Sequence, residues 1–247
     1  MGNYINGIHY DFYKGENSSE NLVIVHGSGC NRKFLRPLAK ELLKYNCYLI
    51  DLPDHGESHF MDCKSVDDYV NAVAGFVSEL ENVTLIGHSL GGTICLGVSS
   101  KGIPCVKRCV ILSSGASFPK LDKRIHDMVR DKEVNWGYLL KCLGSLHCPS
   151  VLKCLLAFES PELIIKDFDI DIRLDLEYAM EKINIPTLIM VSKKDILTLP
   201  EYSKTMHKGI QGSRLIYFTH TRHMLPIVKR KQVAGLIEGF IDQRTVS

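Results

Sequence analysis

The 247-residue chain lacks the features that mark several large protein classes. No apolar run approaches the roughly 20 residues that a helix needs to span a bilayer, so we expect no stable insertion in a membrane. The formal net charge of +2 does not indicate a class of partner. The basic residues are scattered except for the short run 229–231, which is more typical of a solvated helix start than of a nucleic-acid patch, so we expect no nucleic-acid partner. Residues 1–4 lack a basic region followed by an apolar one, which indicates no secretory signal.

Cysteine patterns that bind metal are also absent. The chain has nine cysteines, an odd number, and no pair has the spacing of zinc ligands, so we expect no metal site. An odd count without a secretory signal favours reduced thiols and a cytoplasmic protein. Four cysteines lie in or beside apolar segments and are typical of small core residues: Cys47, Cys95, Cys105 and Cys109. Three others, six residues apart, share no helix face, and we expect no metal or redox role for them: Cys142, Cys148 and Cys154.

Short apolar runs alternate with segments of helical periodicity along most of the chain. Strands are predicted over residues 8–13, 22–25, 47–50, 83–86, 106–112, 187–191 and 214–218. Helices are predicted over residues 34–45, 66–80, 92–98, 174–182 and 232–241, with Ser65 at the start of the second. Strands that alternate with helices indicate an α/β fold with a mostly parallel, doubly wound sheet.

Residues 118–182 interrupt this alternation, because they contain helical patterns but no convincing strand. We predict a helical lid inserted into a core domain that consists of residues 1–117 and 183–247. The apolar underside of such a lid would line a substrate pocket, although an ordinary helical subdomain with its own core gives the same pattern, and both can hold at once. The apolar set comprises Leu139, Leu140, Leu143, Leu146, Val151, Leu152, Leu155, Leu156 and Phe158.

The most informative segment is Gly-His-Ser-Leu-Gly at residues 87–91. It lies between a predicted strand and a predicted helix, which is the context of a nucleophile elbow. Glycine at both flanks lets the strand and the helix approach each other without Cβ clashes, so the Ser89 hydroxyl is lifted clear of the sheet. Ser89 is therefore the candidate nucleophile.

A serine hydroxyl needs a general base, and the base needs a carboxylate that orients it. In an elbow fold the chain order is serine, then acid, then histidine. Asp195 follows the strand 187–191, and His223 follows the last strand, so both lie where parallel strands gather functional groups. We assign Ser89 as nucleophile, His223 as general base and then acid, and Asp195 as the carboxylate that orients His223.

Other residues compete for these roles. His220 is an alternative base, but it lies very close to the end of the strand. Asp54 and Glu57 are alternative acids, but both precede the elbow. His88 is adjacent to the nucleophile, and we expect its side chain to point away from Ser89 and to pack.

The tetrahedral intermediate of acyl transfer needs two hydrogen-bond donors for its oxyanion. The N–H of Leu90, directly after the nucleophile, is the first candidate. The second is expected from the loop after the strand 22–25, which reads His-Gly-Ser-Gly at residues 26–29. The glycines allow this loop to turn an amide inward, and we assign the N–H of Ser28.

With these motifs, the chain resembles small α/β-hydrolases of the esterase and monoacylglycerol-lipase type. Residues 26–29 match the oxyanion motif of that family, and residues 87–92 match its elbow. Residues 51–58 match its D-x-P-G-x-G-x-S loop, with Asp54 in place of the usual glycine, and Arg222 replaces another glycine. The later landmarks are Ile185-Pro186-Thr187, Asp195 and His223-Met224.

The resemblance implies an α/β-hydrolase fold and a serine hydrolase that needs no cofactor. We expect it to cleave small-molecule esters of short- to medium-chain acyl groups, monoacylglycerols among them, through an acyl-Ser89 intermediate. A thioesterase or a C–C bond hydrolase would use the same triad, and some members of the fold bind ligands without catalysis. A carboxylate nucleophile, as in dehalogenases or epoxide hydrolases, is disfavoured by the serine at the elbow.

Overall fold

Eight strands form the sheet in a computed structural model that describes residues 3–144 and 149–242. Leu146 and Cys148 lie outside the described residues. The strands are β1 (Tyr4–Ile5), β2 (Ile8–Tyr13), β3 (Asn17–Val25), β4 (Tyr45–Ile50), β5 (Val83–His88), β6 (Val106–Leu112), β7 (Thr187–Ser192) and β8 (Arg214–Phe218). Their order is β1-β2-β4-β3-β5-β6-β7-β8. Only β1 with β2 and β2 with β4 pair antiparallel among the described strands, which confirms the mostly parallel sheet.

Helices cover both faces of this sheet. Within the described ranges they are α1 (Arg36–Ala39), α2 (Val66–Val77), α3 (Leu90–Ser100), α4 (Lys123–Asp131), α5 (Trp136–Leu143), α6 (Pro149–Cys154), α7 (Pro161–Arg173), α8 (Pro200–Gly209), α9 (Leu225–Val228) and α10 (Arg230–Asp242). Short 3₁₀ helices occupy Arg32–Leu35, Leu155–Ala157 and Glu177–Lys182.

Helix α2 begins where the local sequence predicts. The Ser65 hydroxyl accepts the N–H of Asp68 at 3.3 Å, and the Asp68 carboxylate accepts the N–H of Ser65 at 2.9 Å. This reciprocal capping box satisfies two amides that have no partner inside the helix. The predicted N-cap at Ser65 is therefore confirmed.

Two predicted helices were wrong in extent. The segment 34–45 forms only a 3₁₀ turn and the short α1, because the chain turns at Leu42 and enters β4 at Tyr45. The segment 174–182 is not an α-helix: α7 ends at Arg173, and Leu176 donates its N–H to the Ala116 carbonyl before a 3₁₀ helix begins. Helix α8 was not predicted.

The core consists of two layers on opposite faces of the sheet. Alternate residues of β3 enter different layers: Leu22 and Ile24 pack with α1, α9 and α10, whereas Val23 and Val25 pack with α2 and α3. This alternation follows from the two-residue period of a strand, and it explains why the run is apolar throughout.

Between β6 and β7 the described residues form helices and turns. Part of this region, from α4, α5 and α7, makes a third apolar cluster that also includes Leu197. Other side chains join the two main layers, among them Leu143 and Leu176. The boundaries of a lid at residues 118 and 182 stay a prediction.

Candidate active site

Ser89 occupies the sharp turn between β5 and α3, with φ of 55° and ψ of −127°. Its N–H donates to the Leu112 carbonyl at 3.0 Å, which ties the turn to β6. A Cβ on Gly91 would collide with the carbonyl oxygens of Val25 and His26, and one on Gly87 would collide with the Gly91 backbone. Only glycine fits at both flanks, and Ser89 is held in a conformation that an L-residue rarely adopts.

Asp195 and His223 are brought together by the ends of β7 and β8. Asp195 Oδ2 lies 3.0 Å from His223 Nδ1, and both residues are buried. Burial alone would raise the pKa of Asp195, but the charge and hydrogen bond of His223, with the N–H of Leu197 and the hydroxyl of Thr198, lower it. Asp195 is therefore an ionised carboxylate that fixes the ring with Nε2 as the nitrogen available to a reacting group.

Thr198 was missed by the sequence analysis. Its Oγ1 lies 2.9 Å from Asp195 Oδ2, 3.0 Å from the Ser113 carbonyl and 3.2 Å from His223 Nδ1. The N–H groups of Leu197 and Thr198 both donate to Asp195 Oδ1 at 3.0 Å. The pattern Asp-x-x-Thr after a strand was the available signal, since an aspartate that opens a turn accepts such amides.

Ser89 and His223 border the same cavity. Within the described part of the chain, Ser89 Oγ makes no direct hydrogen bond to His223. A loose contact is common in free enzymes, in which the nucleophile and base draw together only once substrate is bound.

His88 has the packing role expected of it, but its ring does not point away from the site. The ring lines the cavity that contains Ser89, stacks on Phe34 and lies 4.6 Å from the His223 ring, centroid to centroid. Burial lowers the pKa of His88 to about 3, so the ring is neutral. Its Nε2 donates to the His223 carbonyl at 3.0 Å and supports that loop.

The oxyanion loop, residues 26–29, lies against the elbow. The imidazole of His26 accepts the N–H of Leu52 at 3.0 Å, and a Cβ on Gly27 would lie 2.9 Å from Ser89 Cβ. Ser28 borders the cavity that contains Ser89, and Leu90 directly follows Ser89 in the chain. Among the described residues, neither of these two amides donates to another group of the protein, so both are free to bind an oxyanion.

Two buried aspartates of α7 hold the oxyanion loop from behind. Asp167 Oδ2 accepts the N–H of Gly29 at 2.7 Å, and Asp171 Oδ2 lies 2.6 Å from the Ser28 hydroxyl. Asp167 also contacts His55 Nε2 at 2.9 Å and accepts the Tyr69 hydroxyl at 2.8 Å. Neither aspartate was predicted as a site residue, because the sequence offers only a pair of acids four residues apart between apolar residues of one helix.

The alternative acids and base lie elsewhere. Asp54 pairs with Lys166 at 2.5 Å, and Glu57 pairs with Arg32 at 2.5 Å. His220 is exposed, with a positive φ of 60°. The structure brings none of the three into contact with Asp195 or His223 in the ranges it describes.

No group of three or more histidine, cysteine, aspartate or glutamate side chains in residues 3–144 and 149–242 is arranged to hold a metal ion. Over the same ranges, no helix has both the length and the apolar character to cross a bilayer.

A family model for the alpha/beta hydrolase family matches residues 22–236, which is most of the chain. The chain belongs to this family. Its fold class is therefore confirmed as that of an α/β-hydrolase.

Solved structures and curated proteins of related sequence agree with this assignment. A lipase-esterase related protein from Clostridium acetobutylicum ATCC 824 is 38% identical, with a TM-score of 0.91 over 95% of this chain and 99% of that one. A proline iminopeptidase from Saccharolobus solfataricus is 25% identical over 96% of this chain and 89% of its own length. A pimeloyl-[acyl-carrier protein] methyl ester esterase from Neisseria meningitidis is 24% identical, with coverage of 89% and 92%.

Proposed function

We propose that this protein is a serine hydrolase that cleaves carboxylic esters of short- to medium-chain acyl groups. The observation that carries the proposal is one buried cavity bordered by Ser89, His223 and Ser28, with an ionised Asp195 directly behind the histidine. Nucleophile, base and oxyanion donor thus meet at one place, which is the requirement for acyl transfer.

The reaction follows from this arrangement. His223 Nε2 takes the proton of Ser89 as Oγ attacks the ester carbonyl carbon, and the amides of Ser28 and Leu90 bind the oxyanion that forms. The imidazolium, stabilised by Asp195, then returns the proton to the leaving alcohol, which leaves an acyl-Ser89. Water attacks the acyl carbon with His223 again as base, and the carboxylic acid and free serine are released.

The cavity lining favours an uncharged, apolar acyl group. Its side chains besides the catalytic ones are mostly apolar: Cys30, Phe34, Leu139, Leu143, Phe158, Phe168 and Leu197. No carboxylate, lysine or arginine is among the described residues that border it, so a charged substrate group would be buried unpaired at high cost. The free volume is about 40 Å³, room for only a few water molecules, which favours short acyl chains.

The names of similar proteins support ester hydrolysis. One curated relative is named as a methyl ester esterase, and the structure that is 38% identical is described as related to lipases and esterases. The curated relative named as an iminopeptidase belongs to a different substrate class. The apolar cavity lining is what favours an ester of an uncharged acid here.

A series of nitrophenyl esters from acetate to laurate tests the proposal. We expect turnover to be fastest with short acyl chains, and Phe158→Ala to raise kcat/KM for octanoate relative to acetate by roughly 10-fold, since it opens the cavity by most of a ring. The matched control is Phe60→Ala, whose ring is 79% exposed and lies outside the cavity. Absence of turnover with every ester would overturn the proposal.

Asp195→Asn tests the role of the carboxylate. We expect kcat for nitrophenyl acetate to fall by about 10⁴-fold with little change in KM, because an amide at this position no longer holds His223 in the tautomer that accepts the serine proton. Glu201→Gln removes the charge of an exposed carboxylate on α8 and should leave kcat unchanged. A loss of less than tenfold in Asp195→Asn would place the orienting group elsewhere.

A further inference from the structure

Asp171 is a buried acid that the proposed reaction does not use. It lies in the last turn of α7 and is only 5% exposed. Its Oδ2 is 2.6 Å from the hydroxyl of Ser28, whose N–H is the proposed oxyanion donor. Its Oδ1 is buried and has no hydrogen-bond partner among the described residues. A carboxylate with one bond and one orphaned oxygen is poorly solvated for a charged group.

The neighbouring Asp167, one helical turn earlier, has the opposite environment. It receives the N–H of Gly29, the hydroxyl of Tyr69 and the Nε2 of His55. Both ring nitrogens of His55 face oxygen acceptors, since Nδ1 lies 2.8 Å from the Pro53 carbonyl. An imidazolium satisfies both contacts, and so Asp167 and His55 form a buried ion pair.

We propose that Asp171 is a positioning residue for the oxyanion loop and that it acts as the neutral carboxylic acid. The proposal rests on the proposed function, in which Ser28 supplies an oxyanion donor. One O–O contact of 2.6 Å fixes the Ser28 side chain, and through it the direction of the Ser28 amide. The neutral form also keeps a second negative charge away from the place where the oxyanion develops.

The charges around Asp171 favour this neutral form. Burial raises the pKa of Asp171 to about 8, the hydrogen bond from Ser28 opposes the rise, and the negative charge of Asp167 adds to it. Asp167 is the charged group that acts on Asp171 among the described residues, and His55 and Tyr69, from neighbouring elements, are bound to Asp167 instead. No cation faces Asp171 directly in that part of the chain.

The expected consequence is a loss of turnover at alkaline pH. As the pH rises through about 8, Asp171 loses its proton and two carboxylates stand behind the oxyanion loop. The negative charge opposes oxyanion formation, and repulsion from Asp167 displaces the loop.

The experiment compares pH profiles of kcat and KM for nitrophenyl acetate in the wild type, Asp171→Asn, Asp171→Ala and Ser28→Ala. Asp171→Asn mimics the neutral acid, so we expect it to keep at least ~10-fold more kcat than Asp171→Ala at pH 7 and to lack the decline above pH 8. Ser28→Ala should lower kcat more than it changes KM, at every pH. The control is Asp169→Asn, a half-exposed acid on the same helix that pairs with Arg173.

Two kinetic outcomes would overturn the proposal. Equal loss of kcat in Asp171→Asn and Asp171→Ala at pH 7 would mean that the carboxylate acts as an anion. Persistence of the alkaline decline in Asp171→Asn would assign that decline to another group. Inactivity of the wild type towards every ester would instead refute the proposed function.

Thermal unfolding tests the protonation state without any assay of activity. A carboxyl that keeps its proton in the folded protein, but loses it when unfolded, destabilises the fold increasingly as the pH rises from about 4 to about 8. Asp171→Asn lacks this effect, so the Tm of the variant minus the Tm of the wild type should increase from about pH 4 to about pH 8 and stay constant above pH 8. A constant difference in Tm would overturn the neutral form.

Discussion

Ser89→Ala is expected to lower kcat for nitrophenyl ester hydrolysis by about 10⁴- to 10⁶-fold. The hydroxyl is the group that forms the acyl-enzyme in the proposed reaction, and the cavity that it borders also contains His223, the proposed base. Cys30 also borders the cavity, but burial raises the pKa of its thiol far above the usual range, so it stays protonated and inert.

The wild type and Ser89→Ala are purified in the same way, and their initial rates give the ratio of their kcat values directly. Covalent capture by a fluorophosphonate gives a second readout, since mass spectrometry of the labelled peptide locates the adduct. The matched control is Ser78→Ala, which removes an exposed hydroxyl at the end of α2 and should retain full turnover. Turnover of Ser89→Ala within tenfold of the wild type would rule out the acyl-serine route.

Asp167→Ala is expected to lower the free energy of unfolding by about 3–5 kcal/mol. The substitution leaves the buried His55 without its counterion and removes the acceptor of the Tyr69 hydroxyl and the Gly29 N–H. Urea denaturation followed by far-UV circular dichroism measures the change. Asp169→Ala, which removes a half-exposed carboxylate on the same helix, should change stability by less than about 0.5 kcal/mol. Equal effects of the two substitutions would show that the buried pair contributes nothing.

The pH dependence of that pair has a definite sign. Burial opposes ionisation of Asp167, but the charge of His55 and the hydrogen bonds from His55, Gly29 and Tyr69 lower its pKa below 3.8. The stability that ionised Asp167 contributes is therefore lost as the pH falls through this lowered pKa. Burial opposes protonation of His55, but Asp167 raises the pKa of His55 above 6.5. The stability that protonated His55 contributes is therefore lost as the pH rises through this raised pKa. The destabilisation by Asp167→Ala should therefore be largest between about pH 4 and 6.5.

The same network fixes one helix of the region between β6 and β7 to the rest of the protein. Three polar contacts fix helix α7 to the rest of the protein: the ion pair of Lys166 with Asp54 and the hydrogen bonds of Asp167 with His55 and of Asp171 with Ser28.

Local sequence determined the elements whose conformation depends on near neighbours. The strands Val106–Leu112 and Arg214–Phe218 begin and end where the apolar runs predict. The capping box at Ser65 and the glycines beside Ser89 follow from contacts within a few residues, so their patterns in the sequence suffice. The fold class followed from the same alternation of strand and helix.

Helices that bury only a few side chains, and segments whose conformation depends on sheet pairing, were harder to predict. Helix α8 buries only Tyr202, Ser203 and Met206, so its apolar periodicity is sparse and does not predict a helix. Residues around Leu42 have helical spacing, yet the chain turns there because Tyr45 must begin β4 beside β2 and β3. Pairing across the sheet overrides a helical pattern at such a place.

The sequence by itself determined the fold class, the elbow and the candidate order of Ser89, Asp195 and His223, because each depends on short motifs at the ends of strands. Only the tertiary structure decided that Asp167 and Asp171 are buried behind the oxyanion loop. In the sequence they resemble any acids on a helix, and their burial depends on loops more than 100 residues away in the chain. Burial, not residue type, turns a solvated carboxylate into an ion-pair partner or a neutral acid.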